Sequence, residues 1–400
     1  MFDLKQGYTV RERSYWYVVL SLGLASFFNF ATMYFFQPIL PVLVEKFNVS
    51  ISYASLTMSL HTIGLIIGLI LLGFLSDRRG RRIFILLSIL LTSVFAFILP
   101  LLPHFSLIVA IRIVQGFTLA GVLSAAMAYM SEELDPRYFS FAATLYISCN
   151  SLGGMTGRFV SGYLIESFSF AFAFYMLAIF GLVTFVVVAI FLPKSQYFMK
   201  STKGIKEDFK GFLYHLKNPE LLLMFGLGAV LQISFTGMWT FLPFHLMEEP
   251  FQLSLQQISY LYFAYSLGTI GAPLAGWLAR HYPLSHLRIV GVVILTIGML
   301  ATLHSSLIGI IVGLSLICLG FFISHSLASA TVSDRAKSFK GSASSLYLVS
   351  YYLGVAIGTT GLTPLWENFE WKGIITVTAL FPMVYVLLIK WLQRKVKSAT

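Results

Sequence analysis

Acidic residues and cysteines are scarce in this sequence. Only 16 of its 400 residues are Asp or Glu, only two are Cys, and charged residues of both signs make up 11%. A soluble protein of this composition would present too little polar surface to stay in solution. The two cysteines, Cys149 and Cys318, provide neither a disulfide framework nor a metal-binding motif, so we expect no metal site.

Motifs of several other protein classes are missing as well. The sequence contains no G-x-x-x-x-G-K-[ST] phosphate-binding loop, which argues against an ATP-driven pump. It has no zinc-ligand spacing, no Ser-His-Asp arrangement and no soluble domain, so we expect no cofactor and no enzyme activity. The net charge of +11 has no basic soluble domain to carry it. We therefore expect contact with anionic lipid and no nucleic-acid partner.

Long apolar segments are what the sequence has in abundance. Hydrophobic residues make up 58% of the chain, and the mean hydropathy is +0.83. A helix of about 20 apolar residues crosses the hydrocarbon core of a bilayer. The sequence therefore predicts an all-α membrane protein with twelve transmembrane helices, at 15–37, 51–75, 82–103, 106–130, 138–163, 170–192, 219–243, 256–280, 287–305, 307–330, 341–364 and 373–392.

The distribution of Lys and Arg predicts the orientation. Of 27 such residues, Arg112 and Arg158 lie inside spans, and Lys46 and Lys372 lie in the odd-numbered loops. The others lie in the termini, in the even-numbered loops or at the span ends next to them. The positive-inside rule then predicts that both termini and loop 193–218 are cytoplasmic, in a multi-pass protein of the cell (inner) membrane. The first apolar stretch is too long for a cleaved signal peptide, so we expect it to remain.

Loop 193–218 divides the spans into two groups of six that resemble each other. At an offset of 201 residues, segments 142–168 and 343–369 share nine residues, among them glycines and a glutamate. A repeat in the same orientation implies two six-helix bundles, residues 1–192 and 219–400, with 193–218 as the linker. This arrangement predicts a substrate site between the bundles near the midplane.

The segment GFLSDRRGRR, which begins at Gly73, contains the most specific short pattern. Gly73 would allow close helix packing, and Gly80 would allow a sharp turn. Asp77 could face the positive N-terminal end of a neighbouring helix. A simpler interpretation, that these arginines only fix the topology, does not account for the Gly-Asp-Gly spacing.

This segment resembles the G-x-L-x-D-R-x-G-R-R/K signature of the major facilitator superfamily at every defined position. The resemblance implies a cytoplasmic gate in which the basic residues pair with acids at the end of span 4. The gate residues are Gly73, Asp77, Arg78, Gly80, Arg81, Glu132 and Glu133. The corresponding segment of the second half, GWLARHYPLSHLR, lacks the acid, so any gate there should be weaker.

Two further segments resemble motifs of the same superfamily. In AIRIVQGFTLAG, Arg112, Gln115 and Gly116 are similar to the R-x-x-Q-G motif of span 4. The segment NSLGGMTGRFVSG is similar to the antiporter motif of span 5, G-x-x-x-G-P-x-x-G-G. It matches that motif at the helix-packing glycines Gly153, Gly157 and Gly162, but has Arg158 in place of the proline and Ser161 in place of a glycine.

The resemblance covers essentially the whole chain. It is strongest to the YnfM-type bacterial inner-membrane transporters of the drug/proton antiporter branch, through QPILPVL, GGMTGR and SSLYLVSYYLG. It implies secondary active transport by alternating access, with proton-coupled export of a small organic molecule, a drug or a metabolite.

Polar residues from both halves lie near the middle of their spans. Lipid cannot satisfy such groups, so they should face a cavity or another helix, and hydrogen bonding between helices without a substrate is the alternative. The residues that we expect to line a substrate cavity are Asn29, Met33, His61, Arg112, Tyr146, Asn150, Arg158, Gln232, Trp239, Tyr347 and Tyr351.

The two arginines within spans should lie at one level. A rise of about 1.5 Å per residue places Arg112 ~9 Å and Arg158 ~7 Å from the outer ends of their helices. Together they would form an electropositive wall on the exit path that suits anionic or zwitterionic substrates. For Arg158 the alternative is snorkelling to the interface, or pairing with Glu45 or Glu166.

None of the acidic residues lies in the interior of a predicted span. Without a buried carboxylate, the chain lacks the obvious group for binding a cation and exchanging it for a proton, so we expect no preference for strongly cationic compounds. Proton coupling would then use His61 or His325, because histidine titrates near neutral pH, or the acids at the span borders. Simple packing is the alternative for either histidine.

Other functions stay open at this point. One alternative is uptake or exchange of an anionic or zwitterionic metabolite, and another is a receptor that does not transport. A receptor would need a signalling surface, which the short loop 193–218 does not show. The expected partners are a small-molecule substrate, a coupling proton and membrane lipid, and we expect a monomer.

Overall fold

The computed structural model describes residues 7–200 and 205–399. Over these residues the chain is almost entirely helical, and the one β-bridge outside a strand joins Tyr8 to Leu134. This confirms the prediction of an all-α fold.

The chain divides into two compact units. The first unit contains most of the first seven helices, and the second unit contains the rest together with the short segments Leu40–Val44 and Val49–Ser55. In the first part of the chain the helices are α1 (Arg13–Tyr34), α2 (Leu40–Phe47), α3 (Ile51–Arg79), α4 (Arg81–Ile98), α5 (Phe105–Glu133), α6 (Pro136–Ser167) and α7 (Phe170–Phe191). In the second part they are α8 (Ile205–Leu216), α9 (Pro219–Met247), α10 (Leu255–Leu261), α11 (Tyr265–Leu278), α12 (Leu284–Ala301), α13 (Leu307–Arg335), α14 (Lys340–Ala356) and α15 (Thr363–Ala399).

Each predicted span overlaps helical residues, but the helices differ in regularity. Among the described residues, nine helices are long and apolar enough to cross a membrane. Span 8 is interrupted by a 3₁₀ turn at Tyr262–Ala264, between α10 and α11. In span 11, α14 runs into a π-helical turn at Ile357–Gly361. The number of twelve membrane crossings therefore stays a prediction.

The structure adds two short helices in segments that the sequence predicts to be loops. Helix α2 follows α1 almost directly, and α8 lies within the expected linker loop 193–218. Helix α8 packs against the beginning of α14: the His215 side chain is 1% exposed, and its Nε2 lies 3.1 Å from the carbonyl oxygen of Phe339. The linker is thus partly an ordered helix, because one face of α8 finds a partner in the second unit.

Local chemistry explains where several helices begin. Gly80 separates α3 from α4 with a φ of 94°, a backbone conformation that costs glycine little and other residues more. Asp135 caps α6 by accepting the N–H of Arg137, and hydrogen bonds from the Arg137 side chain and backbone lower the pKa of Asp135. Side chains also cap α7, α9, α10 and α13, namely Ser169, Asn218, Ser254 and Ser306.

The repeat is visible in the closest helix contacts of each unit. A Cβ added to Gly153 or Gly157 of α6 would lie 2.2 or 2.3 Å from a carbonyl oxygen of α1. In the second unit, Gly354 of α14 and Gly358 of the π-helical turn approach carbonyl oxygens of α9 in the same way, at 2.4 and 2.6 Å. The fifth span of each half therefore packs on the first through glycines at equivalent positions.

A Gly157→Ala substitution should separate α6 from α1. The added methyl group has no space, because it would lie 2.3 Å from the Ala31 carbonyl oxygen. We expect the free energy of unfolding to fall by about 1–3 kcal/mol, the usual cost of inserting a group into a well-packed protein core. The measurement is thermal unfolding of the purified protein. Gly276→Ala is the matched control, because nothing lies within 4 Å of a Cβ there and alanine favours a helix. Equal behaviour of the two variants would contradict the packing account.

Candidate functional site

Arg112 of α5 is buried in the first unit with its positive charge. Its side chain is 0% exposed. Nε donates to the carbonyl oxygen of Thr57 (3.0 Å), Nη1 donates to Oε1 of Gln115 (2.7 Å), and Nη2 reaches the carbonyl oxygen of Met33 (3.5 Å). The guanidinium also lies over the ring of Phe36, 4.2 Å from its centroid. All these partners are neutral, and no carboxylate of the described residues pairs with Arg112.

Arg158 of α6 is also buried, at 3% exposure. Its Nε donates to Oε1 of Gln37 (2.6 Å), and its Nη1 donates to the carbonyl oxygen of Gly154 (2.8 Å). The guanidinium lies 3.7 Å from the ring centroid of Tyr34, a cation–π geometry. Burial at this level is incompatible with the snorkelling alternative, since a snorkelling side chain ends at the surface.

The two guanidinium groups converge on one segment, Met33–Gln37, where α1 ends. Each arginine stacks on an aromatic ring of this segment, Phe36 for Arg112 and Tyr34 for Arg158. The last carbonyl groups of a helix carry partial negative charge and have no partner within the helix, so they stabilise a nearby cation. Sequence reasoning placed the two arginines at one level, and in the structure both contact this short segment.

His61 of α3 is adjacent to Arg112. Its Nδ1 lies 3.0 Å from the carbonyl oxygen of Arg112. Because a carbonyl oxygen only accepts, Nδ1 carries the proton in this contact, and Nε2 is the free acceptor. Nε2 is buried and has no hydrogen-bond partner among the described residues. Gly116 makes this closeness possible, since a Cβ there would lie 1.9 Å from the His61 carbonyl oxygen.

The remaining polar candidates of the first unit connect helices. Asn29 donates through Nδ2 to the carbonyl oxygen of Leu119 (2.9 Å) and so joins α1 to α5. Its Oδ1 is buried without a described partner. Ser26 donates to Oδ1 of Asn150 and so joins α1 to α6. Tyr146 is 4% exposed, and its hydroxyl is buried without a hydrogen-bond partner among the described residues. Interhelical hydrogen bonding thus uses several groups that we expected to face a cavity.

Aromatic rings dominate the candidate residues of the second unit. Trp239 of α9 is 0% exposed and stacks on Tyr262 at a centroid distance of 4.9 Å and an interplanar angle of 27°. Tyr265 lies at the same centroid distance. The 3₁₀ turn between α10 and α11 brings both tyrosines onto the same side, because its period is three. Trp239 Nε1 and Gln232 Oε1 are buried without a described hydrogen-bond partner.

His325 of α13 lies among aromatic residues of the same unit. The Tyr347 hydroxyl is 2.8 Å from its Nδ1 and 3.2 Å from its carbonyl oxygen. The imidazole stacks on Phe321 at an interplanar angle of 6°, and Tyr351 lies 4.8 Å from it by centroid. The structure therefore brings together three of the predicted residues, His325, Tyr347 and Tyr351.

The junction of α3 and α4 forms an ion-pair cluster with the end of α5. Arg81 binds Asp77 through Nη1 (2.6 Å) and Glu132 through Nε and Nη2 (2.7–2.9 Å). Glu133 is 0% exposed and accepts the backbone N–H groups of Gln196 and Tyr197 (2.9–3.0 Å), which fixes the chain after α7.

Arg78 and Gly73 are the other predicted gate residues in α3. Arg78 donates to the carbonyl oxygen of Phe74, one turn back in its own helix. A Cβ added to Gly73 would meet only Ser124 Cβ, at 3.9 Å, which is an ordinary contact. The expectation that Gly73 permits a close helix approach is therefore wrong in this geometry, whereas Gly80 has the conformation that needs glycine.

Comparison with known proteins agrees with this architecture. The family model described as Major Facilitator Superfamily matches residues 22–359. The chain belongs to the major facilitator superfamily.

Similar proteins of this superfamily are found in bacteria. The chain is 35% identical over 381 residues to the inner membrane transport protein YnfM of Escherichia coli (strain K12), covering 95% of this chain and 91% of the relative. It is 36% identical over 371 residues to an uncharacterized transporter of Buchnera aphidicola subsp. Schizaphis graminum, covering 93% and 90%. These relatives identify the chain as a membrane transporter.

A solved structure shows the same fold. The bacterial homologue of the human lysosomal transporter Spinster, in an inward-facing and unoccupied conformation, matches with a TM-score of 0.76 and 16% identity, over 94% of this chain and 95% of that one. At this identity the likeness concerns the fold alone.

Sequence reasoning about this superfamily member found the arginines but missed most of their partners. The Thr57 carbonyl oxygen accepts a hydrogen bond from Arg112. The sequence gives no sign of this contact, because every residue type has a backbone carbonyl. Gln37 does give a signal, since it lies four residues after Met33 near the predicted end of span 1. Gln115 belongs to the span-4 motif and turns out to be the side-chain acceptor for Arg112.

Removing the Glu132 carboxylate should destabilise this superfamily member. Glu132→Gln leaves the Arg81 side chain, which is 10% exposed, without its bidentate charged partner, and we expect a loss of about 1.5–3 kcal/mol. Thermal unfolding of the purified protein measures it. Glu220→Gln is the control, because its pair with Arg335 is more than half exposed and should contribute less than about 1 kcal/mol. If Glu132→Gln were as mild as the control, the cluster would not hold α3, α4 and α5 together.

Proposed function

We propose that this transporter moves a small organic anion or zwitterion across the cytoplasmic membrane by alternating access, and that Arg112 attracts its acidic group. The observation that carries the proposal is the fully buried guanidinium of Arg112, which has only neutral partners. It supports the substrate class that the arginines predict, and it agrees with the scarcity of acids in the spans.

The Arg112 guanidinium has unused capacity for an anion. Three of its five N–H donors have partners among the described residues. A buried charge without a counter-charge is unfavourable, although carbonyl dipoles and the Phe36 ring offset part of that cost. A carboxylate or phosphate would accept hydrogen bonds from the remaining N–H donors and neutralise the positive charge of the guanidinium. The binding energy of an anion would therefore be large at this position.

Arg158 supports the same substrate class through its position. Its guanidinium contacts the segment Met33–Gln37, as Arg112 does. Two positive groups on one segment raise the local electrostatic potential for an approaching anion. The same field disfavours strongly cationic compounds, which would need a carboxylate to bind.

His61 is the proposed proton carrier. Its buried Nε2 is the acceptor nitrogen of the ring and lacks a described partner. A proton there would place a second positive charge beside Arg112, and like charges repel. A bound anion removes this repulsion. Proton and anion would thus bind together in the same form of the transporter.

Two observations support opposite directions of transport, export and uptake. The resemblance of α6 to the span-5 antiporter motif supports export in exchange for protons, as in the drug/proton antiporter branch. The arrangement of His61 and Arg112 favours the second candidate, uptake of the anion together with a proton. A proton on His61 and an anion at Arg112 each make binding of the other more favourable. In both cases we propose a monomer with both termini in the cytoplasm and the Arg81 cluster as the cytoplasmic gate.

Transport by proteoliposomes tests the role of Arg112. We expect wild-type protein to move organic anions or zwitterions from a panel of charged and neutral metabolites. Arg112→Gln should lower this transport by about 10- to 100-fold, because a charge-assisted contact is lost. Arg280→Gln, an exposed arginine of the second unit, is the control and should behave as wild type. Transport confined to cations, or undiminished in Arg112→Gln, would contradict the proposal.

The proton carrier is tested in the same vesicles with an internal pH dye. Glutamine can donate to the Arg112 carbonyl as the His61 imidazole does, so His61→Gln should keep anion exchange between the two sides. It should lose proton movement coupled to the anion. Inward anion movement with internal acidification in wild type supports uptake, whereas anion efflux with internal acidification supports export. Unchanged proton coupling in His61→Gln would exclude His61 as the carrier.

A further inference from the structure

A basic cleft lies in the second unit, and three of its lining residues, Ser285, His286 and Arg288, belong to the segment GWLARHYPLSHLR. It is formed by the beginning of α12, the last part of α15 and one residue of α9. The unfilled space in it is about 450 Å³, which includes the part that is open to the surroundings. Its lining residues are Leu227, Ser285, His286, Arg288, Ile289, Val386, Ile389 and Lys390.

Arg288 is the most constrained charge in this cleft. The residue is only 6% exposed, and its Nη1 donates to Oγ1 of Thr331 on α13. Nε and Nη2 have no described hydrogen-bond partner, and no carboxylate of the described residues pairs with this guanidinium. A buried arginine with unused donors that lines an open cleft is suited to an anionic ligand.

The other polar groups of the cleft either are basic, like Arg288, or supply further hydrogen-bond donors. Lys390 and His286 line it together with the hydroxyl of Ser285, and no acidic residue is among the lining residues. Ser285 and His286 belong to the first turn of α12, where the helix dipole adds positive potential. All electrostatic features of the cleft therefore favour an anion with several oxygens.

The walls of the cleft are apolar. Leu227, Val386 and Ile389 are buried in it. Next to it, the outer surface of α15 exposes Leu387 at 54% and Trp391 at 56%. Exposed apolar side chains next to a basic group are typical of a protein surface at the level of lipid headgroups, where tryptophan is enriched.

We propose that this cleft binds the phosphate of an anionic phospholipid, with Arg288 and Lys390 holding the phosphate oxygens and the acyl chains lying along the apolar surface of α15. The site is separate from the proposed transport site, and the proposal does not depend on the substrate. Basic pockets between membrane helices are suited to anionic headgroups. A free phosphate anion has the same oxygens but would not cover the exposed apolar surface of α15.

Binding of lipid to the delipidated, full-length protein tests this proposal. Native mass spectrometry in detergent would compare phosphatidylglycerol with phosphatidylcholine, and inorganic phosphate would be the competitor. We expect Arg288→Gln and Lys390→Gln each to weaken phosphatidylglycerol binding about fivefold, the effect of one basic group near an anionic headgroup. Lys372→Gln is the matched control, because it removes the same charge from an exposed position near the other end of α15.

The possible outcomes separate the sources of the phosphate. Selective loss of phosphatidylglycerol in Arg288→Gln and Lys390→Gln, with Lys372→Gln unchanged, supports the proposal. Displacement of the lipid by millimolar inorganic phosphate would assign the cleft to a soluble anion and overturn the lipid assignment. Equal binding by all variants would overturn the site itself. If Arg288→Gln fails to fold, Lys390→Gln still tests the proposal. Lys390 is exposed, so its replacement should not disturb the fold.

Discussion

The burial of the Arg112 guanidinium is the constraint on which the first unit depends. A full positive charge on a guanidinium at 0% exposure requires hydrogen-bond acceptors to be placed around it. The chain supplies carbonyl oxygens from the end of α1 and from α3, an amide oxygen from α5 itself, and an aromatic face. The positions of these helices relative to one another are therefore tied to a single side chain. That side chain is also the one that a substrate anion would neutralise.

The two units share a backbone arrangement but not the same chemistry. Glycines at equivalent positions bring the fifth span of each repeat onto its first span, Gly153 and Gly157 in one unit and Gly354 and Gly358 in the other. The polar centre of the first unit consists of guanidinium and imidazole groups. In the second unit it consists of stacked rings around Trp239 and His325. Backbone packing constrains the glycines in both units, whereas the side chains between them have diverged.

The sequence predicted the main features of the fold because apolar length and charge asymmetry are local signals. Spans, the motif at the junction of α3 and α4, and the glycine contacts all follow from composition and spacing within a few residues. Helices α2 and α8 were missed, because each is short and its stability depends on packing rather than on length. The interruption of span 8 at Tyr262 was also missed, since the apolar pattern continues through the 3₁₀ turn.

The candidate site was predictable in its residue types and less so in its contacts. An arginine in an apolar span is costly, so Arg112 and Arg158 were identifiable as candidate site residues without a structure. Their partners are largely backbone carbonyl groups, which leave no trace in the residue pattern. Arg158 is an example: the sequence allowed a side chain that snorkels to the interface, and the structure shows a buried side chain in contact with Gln37.

The most direct test of the central claim is the thermal stabilisation of the detergent-purified protein by organic anions. Wild type and Arg112→Gln would be compared with a series of carboxylates and with the neutral amides of the same shape. We expect carboxylates, but not amides, to raise the unfolding temperature of wild type, and we expect Arg112→Gln to unfold at a lower temperature that carboxylates do not raise. If carboxylates stabilised Arg112→Gln as much as wild type, Arg112 would not be the group that receives the anion.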